Sequence, residues 1–238
     1  YKNMKKKINY GSQFIDNKDI RSVVKTLKEE KITTGKEVIN FEKSISRYLK
    51  CKYSKTCSSG TSALFLAMLA IKIRRNDKII MPVINFIASY NVAKILGAQV
   101  FLADVDKNTG QMTPETVQEC CKKFKLKRIK AIVTMYNTGY PQNVENFKKL
   151  KRKLKCFIIE DACHALGASY KIGKKNYMVG SCMHADISTF SLHPLKTITS
   201  GEGGIVTTNS PSIDREIEKY RSLGIMRKKY YWKYDIDS

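Results

Sequence analysis

From Tyr53 onward, short apolar runs alternate with stretches in which apolar side chains recur every three or four positions. The first pattern suits strands, the second helices with one buried face. The runs predict strands over Tyr53–Cys57, Lys78–Met81, Gln99–Ala103, Ile129–Thr134, Lys155–Glu160, Ile187–Phe190 and Ile205–Thr208. Helices are predicted between and after them, over Thr61–Ile73, Phe86–Leu96, Pro114–Phe124, Val144–Leu154 and Pro211–Leu223. Upstream, Asp16–Glu30 and Lys36–Leu49 read as amphipathic helices. Strands separated by helical segments of this length need crossover connections, which favour a parallel sheet. The prediction is an α/β domain, a mostly parallel sheet with helices on both faces.

Composition narrows the class. With 238 residues the chain can bury a sizeable core, and its 42% hydrophobic content is that of a soluble globular protein. No run approaches the roughly 18 apolar residues of a membrane span. The N-terminal lysines are not followed by an apolar stretch, so a cytoplasmic location is the expectation. The formal charge of +23 raises the question of nucleic acid. However, the excess is scattered lysine, with a local cluster from Lys122 to Lys130, and no nucleic-acid-binding motif accompanies it. A solvated lysine-rich surface is expected instead, able to attract an anionic substrate such as a nucleotide diphosphate. The seven cysteines include no CxxC pair, and Cys57, Cys156 and Cys163 lie in or beside strand-like runs. That usage points to reduced thiols and no metal site.

The candidate chemistry lies where strands end. In Ser191-Leu192-His193-Pro194-Leu195-Lys196, a lysine sits between a strand-like run and the turn Gly201-Glu202-Gly203-Gly204. Asp161 ends the apolar run Phe157-Ile158-Ile159-Glu160, at the strand edge where open α/β folds bind ligands. A lysine able to form an imine and an aspartate able to pair with a pyridine nitrogen are the two groups that pyridoxal phosphate chemistry requires. Each residue also has an ordinary reading, Lys196 as a surface lysine and Asp161 as a turn or cap aspartate. Ser58-Ser59-Gly60-Thr61-Ser62-Ala63-Leu64 joins a strand to an apolar helix. Its free amides and hydroxyls suit either a phosphate or a plain helix cap. Phe86 is either a core residue or a plate for a cofactor ring, and His164 either a ring contact or a structural histidine.

As an ordered set these motifs resemble the DegT/DnrJ/EryC1/StrS family of nucleotide-sugar aminotransferases. The likeness runs from Tyr10-Gly11-Ser12 through Arg221-Ser222-Leu223-Gly224-Ile225. It includes Ile32-Thr33-Thr34-Gly35, Ser59 to Leu64, Glu160-Asp161-Ala162-Cys163-His164-Ala165-Leu166-Gly167 and Phe190 to Lys196. Within the family, the run from His193 to Gly204 looks most like the 4-amino-4,6-dideoxy sugar transaminases of the pseudaminic acid route. It departs from commoner family patterns at Cys57, Ser58 and Tyr136-Asn137-Thr138-Gly139.

The resemblance implies a fold-type I large domain with pyridoxal 5'-phosphate as cofactor. It further implies that Lys196 forms the imine with the cofactor aldehyde and shuttles the proton. Asp161 would pair with the pyridine nitrogen, Phe86 would stack on the ring, and His164 would lie beside it. Gly60, Thr61, Ser62 and Ser191 would hold the phosphate, while Tyr10, Lys31, Ile32 and Thr33 would lie near the sugar nucleotide. The implied substrates are a nucleotide-linked 4-keto-6-deoxy sugar and an amino donor, glutamate, with a homodimer as the full-length assembly. A related sugar dehydratase places histidine at the imine position, and Lys196 argues against it. A basic nucleic-acid-binding or interaction domain is the non-enzymatic alternative. On the family's plan, residues 1–34 form an N-terminal helical segment and 35–238 the large domain, with the C-terminal small domain absent from the chain.

Overall fold

The computed structural model describes residues 11–225. Seven strands make the main sheet, β1 (Tyr53–Cys57), β2 (Lys78–Pro82), β3 (Gln99–Ala103), β4 (Ile129–Met135), β5 (Phe157–Asp161), β8 (Ile187–Ser191) and β9 (Gly204–Thr208). Their order is β1-β9-β8-β5-β4-β2-β3. The pairs from β8 through β3 are parallel, while β9 runs antiparallel to both of its neighbours. Two further strands, β6 (Ser169–Ile172) and β7 (Lys175–Met178), form a separate hairpin that the hydrophobic pattern does not predict. Their half-exposed, lysine-rich sequences carry too little alternation to read as strands.

Helices α3 (Gly60–Ala70), α4 (Ala88–Ile95) and α7 (Pro211–Arg221) cover one face. Helices α5 (Pro114–Lys123) and α6 (Val144–Leu154) cover part of the other, beside α2 (Lys36–Leu49). Strand alternation divides the core between these layers. Ile79, Met81, Val133 and Ile159 pack toward α3 and α4, whereas Ile80, Ile132 and Ile158 pack toward α5 and α6. Both faces of the central strands are buried, so they read as continuous apolar runs, as parallel strands do.

The helix boundaries follow local chemistry. Thr113 and Thr116 close a capping box ahead of α5, with Pro114 in its first turn. Helix α1 (Asn17–Leu27) is capped by Asp16, which accepts from the Lys18 and Asp19 amides. None of its residues is buried, and Ile20, Val23 and Leu27 are exposed. Helix α4 starts at Ala88, two residues later than its periodicity suggests, because residues 83–87 form a loop across the sheet edge. Beside the end of β1, Arg221 of α7 pairs with Glu42 of α2 and with Glu218, and it also donates to the Thr56 carbonyl. Among the described residues no helix is long and apolar enough to cross a membrane, and no group of His, Cys, Asp and Glu could hold a metal.

Candidate active site

Strands β2, β4, β5 and β8 end at the same sheet edge, and the motif residues collect there. Asp161 is the last residue of β5 and is 2% exposed. Alternation along β5 points it to the α4 face, where Ser89 Oγ donates to its Oδ2 at 3.3 Å. The Cys163 amide donates to its Oδ1, also at 3.3 Å. Among the described residues the carboxylate makes no ion pair. A buried carboxylate with two neutral donors and no paired counter-charge still has room for a cationic N–H, which would offset its desolvation.

The neighbouring Glu160 points to the opposite face and is also buried. Tyr136 donates to its Oε1 at 2.6 Å and Ser188 to its Oε2 at 2.5 Å. Burial pushes the Glu160 carboxyl up, with the Ser188 and Tyr136 hydrogen bonds opposing the shift. Two successive carboxyls thus serve two layers, Asp161 facing the site and Glu160 the interior.

Helix α3 delivers the glycine turn. Ser59 caps it by accepting from the Ser62 amide at 3.1 Å, and the Ala63 amide reaches the Ser59 carbonyl. As first-turn residues of a helix, Gly60 and Thr61 keep amides with no intrahelical acceptor. A Cβ on Gly60 would stand 2.8 Å from Ser191 Cβ, so the helix start lies directly against the end of β8. One on Gly204 would meet the Ser59 carbonyl oxygen at 2.1 Å, which explains the glycine where β9 begins. The result is a close-set group of backbone amides, the Thr61 and Ser62 hydroxyls and Ser191, suited to an anion.

Lys196 is half-buried in the turn after β8, where its amide donates to the His193 carbonyl at 2.9 Å. Its charge lowers the pKa of His164, after burial as the larger cause and against the opposing pull of Asp161. The same charge acts on Cys163, whose thiol burial pushes up strongly. Lys196 is thus within electrostatic reach of the residues that follow β5. Burial likewise holds Cys57 up at about 11, so it stays a thiol. All seven cysteines are free, with Cys57 and Cys163 only partly buried.

Phe86 is 66% exposed at the site's rim and is therefore not a core residue. The structure brings together Gly60, Thr61, Ser62, Asp161, His164, Ser191 and Lys196, with Phe86 on the adjoining loop. Tyr10 lies outside the described residues, although a Cβ on its neighbour Gly11 would come 3.1 Å from Leu195 Cδ2, beside Lys196. Lys31, Ile32 and Thr33 form an exposed turn before α2, and no hydrogen bond among the described residues joins them to the cluster. Ser89 and Asn85 escaped the sequence reading. The available signal was a serine inside a mostly apolar helical stretch, three residues after Phe86. A depression lined by Lys72, Lys130, Arg215 and Glu216 lies at the opposite sheet edge and includes none of these residues.

A mostly parallel seven-stranded sheet with this edge is the fold-type I architecture of pyridoxal phosphate-dependent aminotransferases. The sequence pattern of the DegT/DnrJ/EryC1/StrS aminotransferase family matches residues 13–236, and the chain belongs to that family. It is 38% identical over 229 residues to the UDP-4-amino-4,6-dideoxy-N-acetyl-beta-L-altrosamine transaminase of Campylobacter jejuni serotype O:23/36, covering 96% of this chain and 58% of that protein. It is 35% identical to the GDP-perosamine synthase of Escherichia coli O157:H7, over 83% of this chain and 52% of that one. The solved structure of Helicobacter pylori PseC, an aminotransferase of pseudoaminic acid biosynthesis, superposes with a TM-score of 0.81 at 30% identity. That match covers 95% of this chain and 58% of PseC. The chain thus spans somewhat over half the length of these relatives.

Proposed function

We propose that this chain carries the cofactor-binding part of an aminotransferase that moves an amino group from glutamate to a nucleotide-linked 4-keto-6-deoxy sugar. The observation that carries the reading is Asp161, a buried carboxylate held by two neutral donors at the edge where Lys196 and the Gly60–Ser191 contact meet. Pyridoxal 5'-phosphate fits these residues, since it brings a cationic ring N–H for Asp161, an aldehyde for Lys196 and a phosphate for the α3 amides. When bound, it supplies a protonated ring that takes up the electron pair left as the substrate carbon loses its proton.

In this reading, Lys196 Nζ holds the cofactor at rest and moves the proton to and from the substrate carbon. Asp161 keeps the ring nitrogen protonated through a charge-assisted hydrogen bond worth about 1.5–3 kcal/mol. Phe86 would stack on the ring, and His164 would stand beside it in its neutral form, the form that its lowered pKa favours. Gly60 and Thr61 give backbone amides to the phosphate, while Thr61, Ser62 and Ser191 add hydroxyls. By the family resemblance Tyr10, Lys31, Ile32 and Thr33 would contact the sugar nucleotide, which the +23 charge would draw in. Residues 1–34 would act as an N-terminal helical segment and 35–238 as the large domain, with the full-length protein a cytoplasmic homodimer.

The test is to incubate the protein, with pyridoxal phosphate and glutamate, against a panel of nucleotide-linked keto sugars and follow amino-sugar formation by mass. The expected outcome is a product one amino group richer from a 4-keto-6-deoxy sugar. Cofactor absorbance without transfer to any sugar on the panel would overturn the substrate assignment. Failure to bind the cofactor at Lys196 would overturn the whole reading.

A further inference from the structure

Asn85, Ser89 and Asp161 form a hydrogen-bonded chain, buried at Ser89 and Asp161, that links the loop carrying Phe86 to the carboxylate at the end of β5. Asn85 Nδ2 lies 3.2 Å from Ser89 Oγ, and Ser89 Oγ lies 3.3 Å from Asp161 Oδ2. Ser89 is fully buried. An ionised carboxylate only accepts, so the single hydroxyl proton of Ser89 must go to Asp161. The Ser89 oxygen is then free to accept, and the Asn85 amide nitrogen fills it. Every bond in the chain therefore points toward Asp161.

One cost accompanies this direction. Asn85 Oδ1 is buried and lacks a hydrogen-bond partner among the described residues. Turning the amide round would set that oxygen against Ser89 Oγ. Ser89 would then have two acceptors competing for one proton, and the carboxylate would lose a donor. The orphaned oxygen is thus the counterpart of a chain polarised toward Asp161.

We infer that Ser89, oriented by Asn85, is a positioning residue that fixes the plane of Asp161 for its bond to the cofactor ring nitrogen. The inference rests on the cofactor reading above. Ser89 holds Oδ2 while the Cys163 amide holds Oδ1, so the carboxylate cannot swing about its stem. Asn85 immediately precedes Phe86, and the same chain therefore sets the ring's in-plane partner and the plate over its face in one register. Without the Ser89 hydroxyl, the Asp161 carboxylate could turn away from the ring nitrogen and would pair with it less well. The bound cofactor would then carry less positive charge at the ring, so the nitrogen linking it to Lys196 would keep its proton to higher pH, which the spectrum reads.

The experiment compares the wild-type chain with Ser89→Ala, Ser89→Thr and Asn85→Ala. It measures the pyridoxal phosphate dissociation constant by absorbance titration, the pH dependence of the bound cofactor's spectrum, and the thermal midpoint without cofactor. Ser89→Ala should bind about tenfold more weakly, the scale of one hydrogen bond to a charged group, and its spectral titration should move upward. Ser89→Thr keeps the hydroxyl and should restore both. Asn85→Ala should shift both in the same direction by less, which keeps the test alive if Ser89→Ala does not fold. Wild-type-like affinity and titration in Ser89→Ala and Asn85→Ala would overturn the inference while leaving the cofactor reading standing. A wild-type chain that binds no cofactor would instead overturn that reading.

Discussion

The Tyr136 hydroxyl donates to Glu160 Oε1 at 2.6 Å, tying the end of β4 to the face of β5 opposite Asp161. Ser188 of β8 closes the other oxygen, so one buried carboxyl joins three adjacent strands just below the site. Beyond Tyr136, the Gly139 backbone packs against the His164 carbonyl, which carries the tie to the site's rim. Tyr136→Phe removes the donor and leaves Glu160 short of a partner in a buried setting. A loss of about 1–3 kcal/mol in unfolding stability is expected, read from urea midpoints at constant slope. A change within about 0.5 kcal/mol would mean that the hydroxyl carries no net stability there.

The histidines set a pH dependence of the opposite sign to that of Glu160. His184 packs against Tyr170 and Tyr177, and Tyr170 Oη lies 2.9 Å from its Nδ1. Burial first, then Lys148, lowers its pKa. The folded state therefore holds that proton less tightly than the unfolded chain. The stability from neutral His184 is present above about pH 6.5 and is lost as pH falls through the lowered folded value. Glu160, raised in the fold, contributes stability below its unfolded value of about 4.3 and loses it as pH rises through the folded one. His184→Gln should flatten the fall in thermal midpoint from about pH 6.5 to 5 relative to the wild type. An unaltered slope would show that this imidazole does not control it.

Much of this was legible in the chain. The seven strands of the main sheet each appear within two residues of their expected limits, because strands buried on both faces leave unbroken apolar runs. The direction of β9 was not legible, since a buried antiparallel strand has the same composition as a parallel one. The β6–β7 hairpin was missed because tyrosine and lysine at its half-exposed positions blur the alternation. At the site, the sequence reading gathered residues whose types announce their chemistry, a lysine, an aspartate and a glycine turn. Ser89 was lost inside a helix prediction, for a hydroxyl's meaning lies in what stands 3 Å away on another strand. Phe86 could not be assigned to core or surface until its loop placed it on the rim, and the far ends of the substrate side, Lys31 to Thr33, gained no contact that ties them in.

Gly60→Ala tests the contact that aligns the phosphate-facing turn. Its new methyl would stand 2.8 Å from Ser191 Cβ, so α3 or the end of β8 must shift. Buried overpacking of this kind costs about 1–3 kcal/mol. The variant should lose stability on that scale and bind pyridoxal phosphate more weakly, as judged by calorimetry and absorbance titration. Unchanged cofactor affinity alongside reduced stability would remove this turn from the phosphate site.

Asp161→Asn preserves the shape of the side chain but removes its charge. The amide can still sit between Ser89 and Cys163, so the fold and part of the cofactor binding should survive. The ring nitrogen would lose its anionic partner, and the glutamate half-reaction should slow by about 100-fold or more in single-turnover measurements. A half-reaction at the wild-type rate would make Asp161 a structural residue only.

Lys196→Ala separates chemistry from folding most sharply. The Lys196 amide bond to the His193 carbonyl is a backbone contact that alanine retains, and the side chain makes no ion pair among the described residues. The thermal midpoint should stay within a few degrees, about what a change below 1 kcal/mol produces. Turnover should vanish, because Lys196 supplies the amine that holds the cofactor and moves the proton in this reading. Borohydride reduction of the wild-type protein with pyridoxal phosphate, followed by peptide mass mapping, should place the cofactor on the peptide containing Lys196. The chain's 35 lysines make that selectivity demanding. A label spread over surface lysines, or fixed on a different one, would overturn the assignment even if the variant proved inactive.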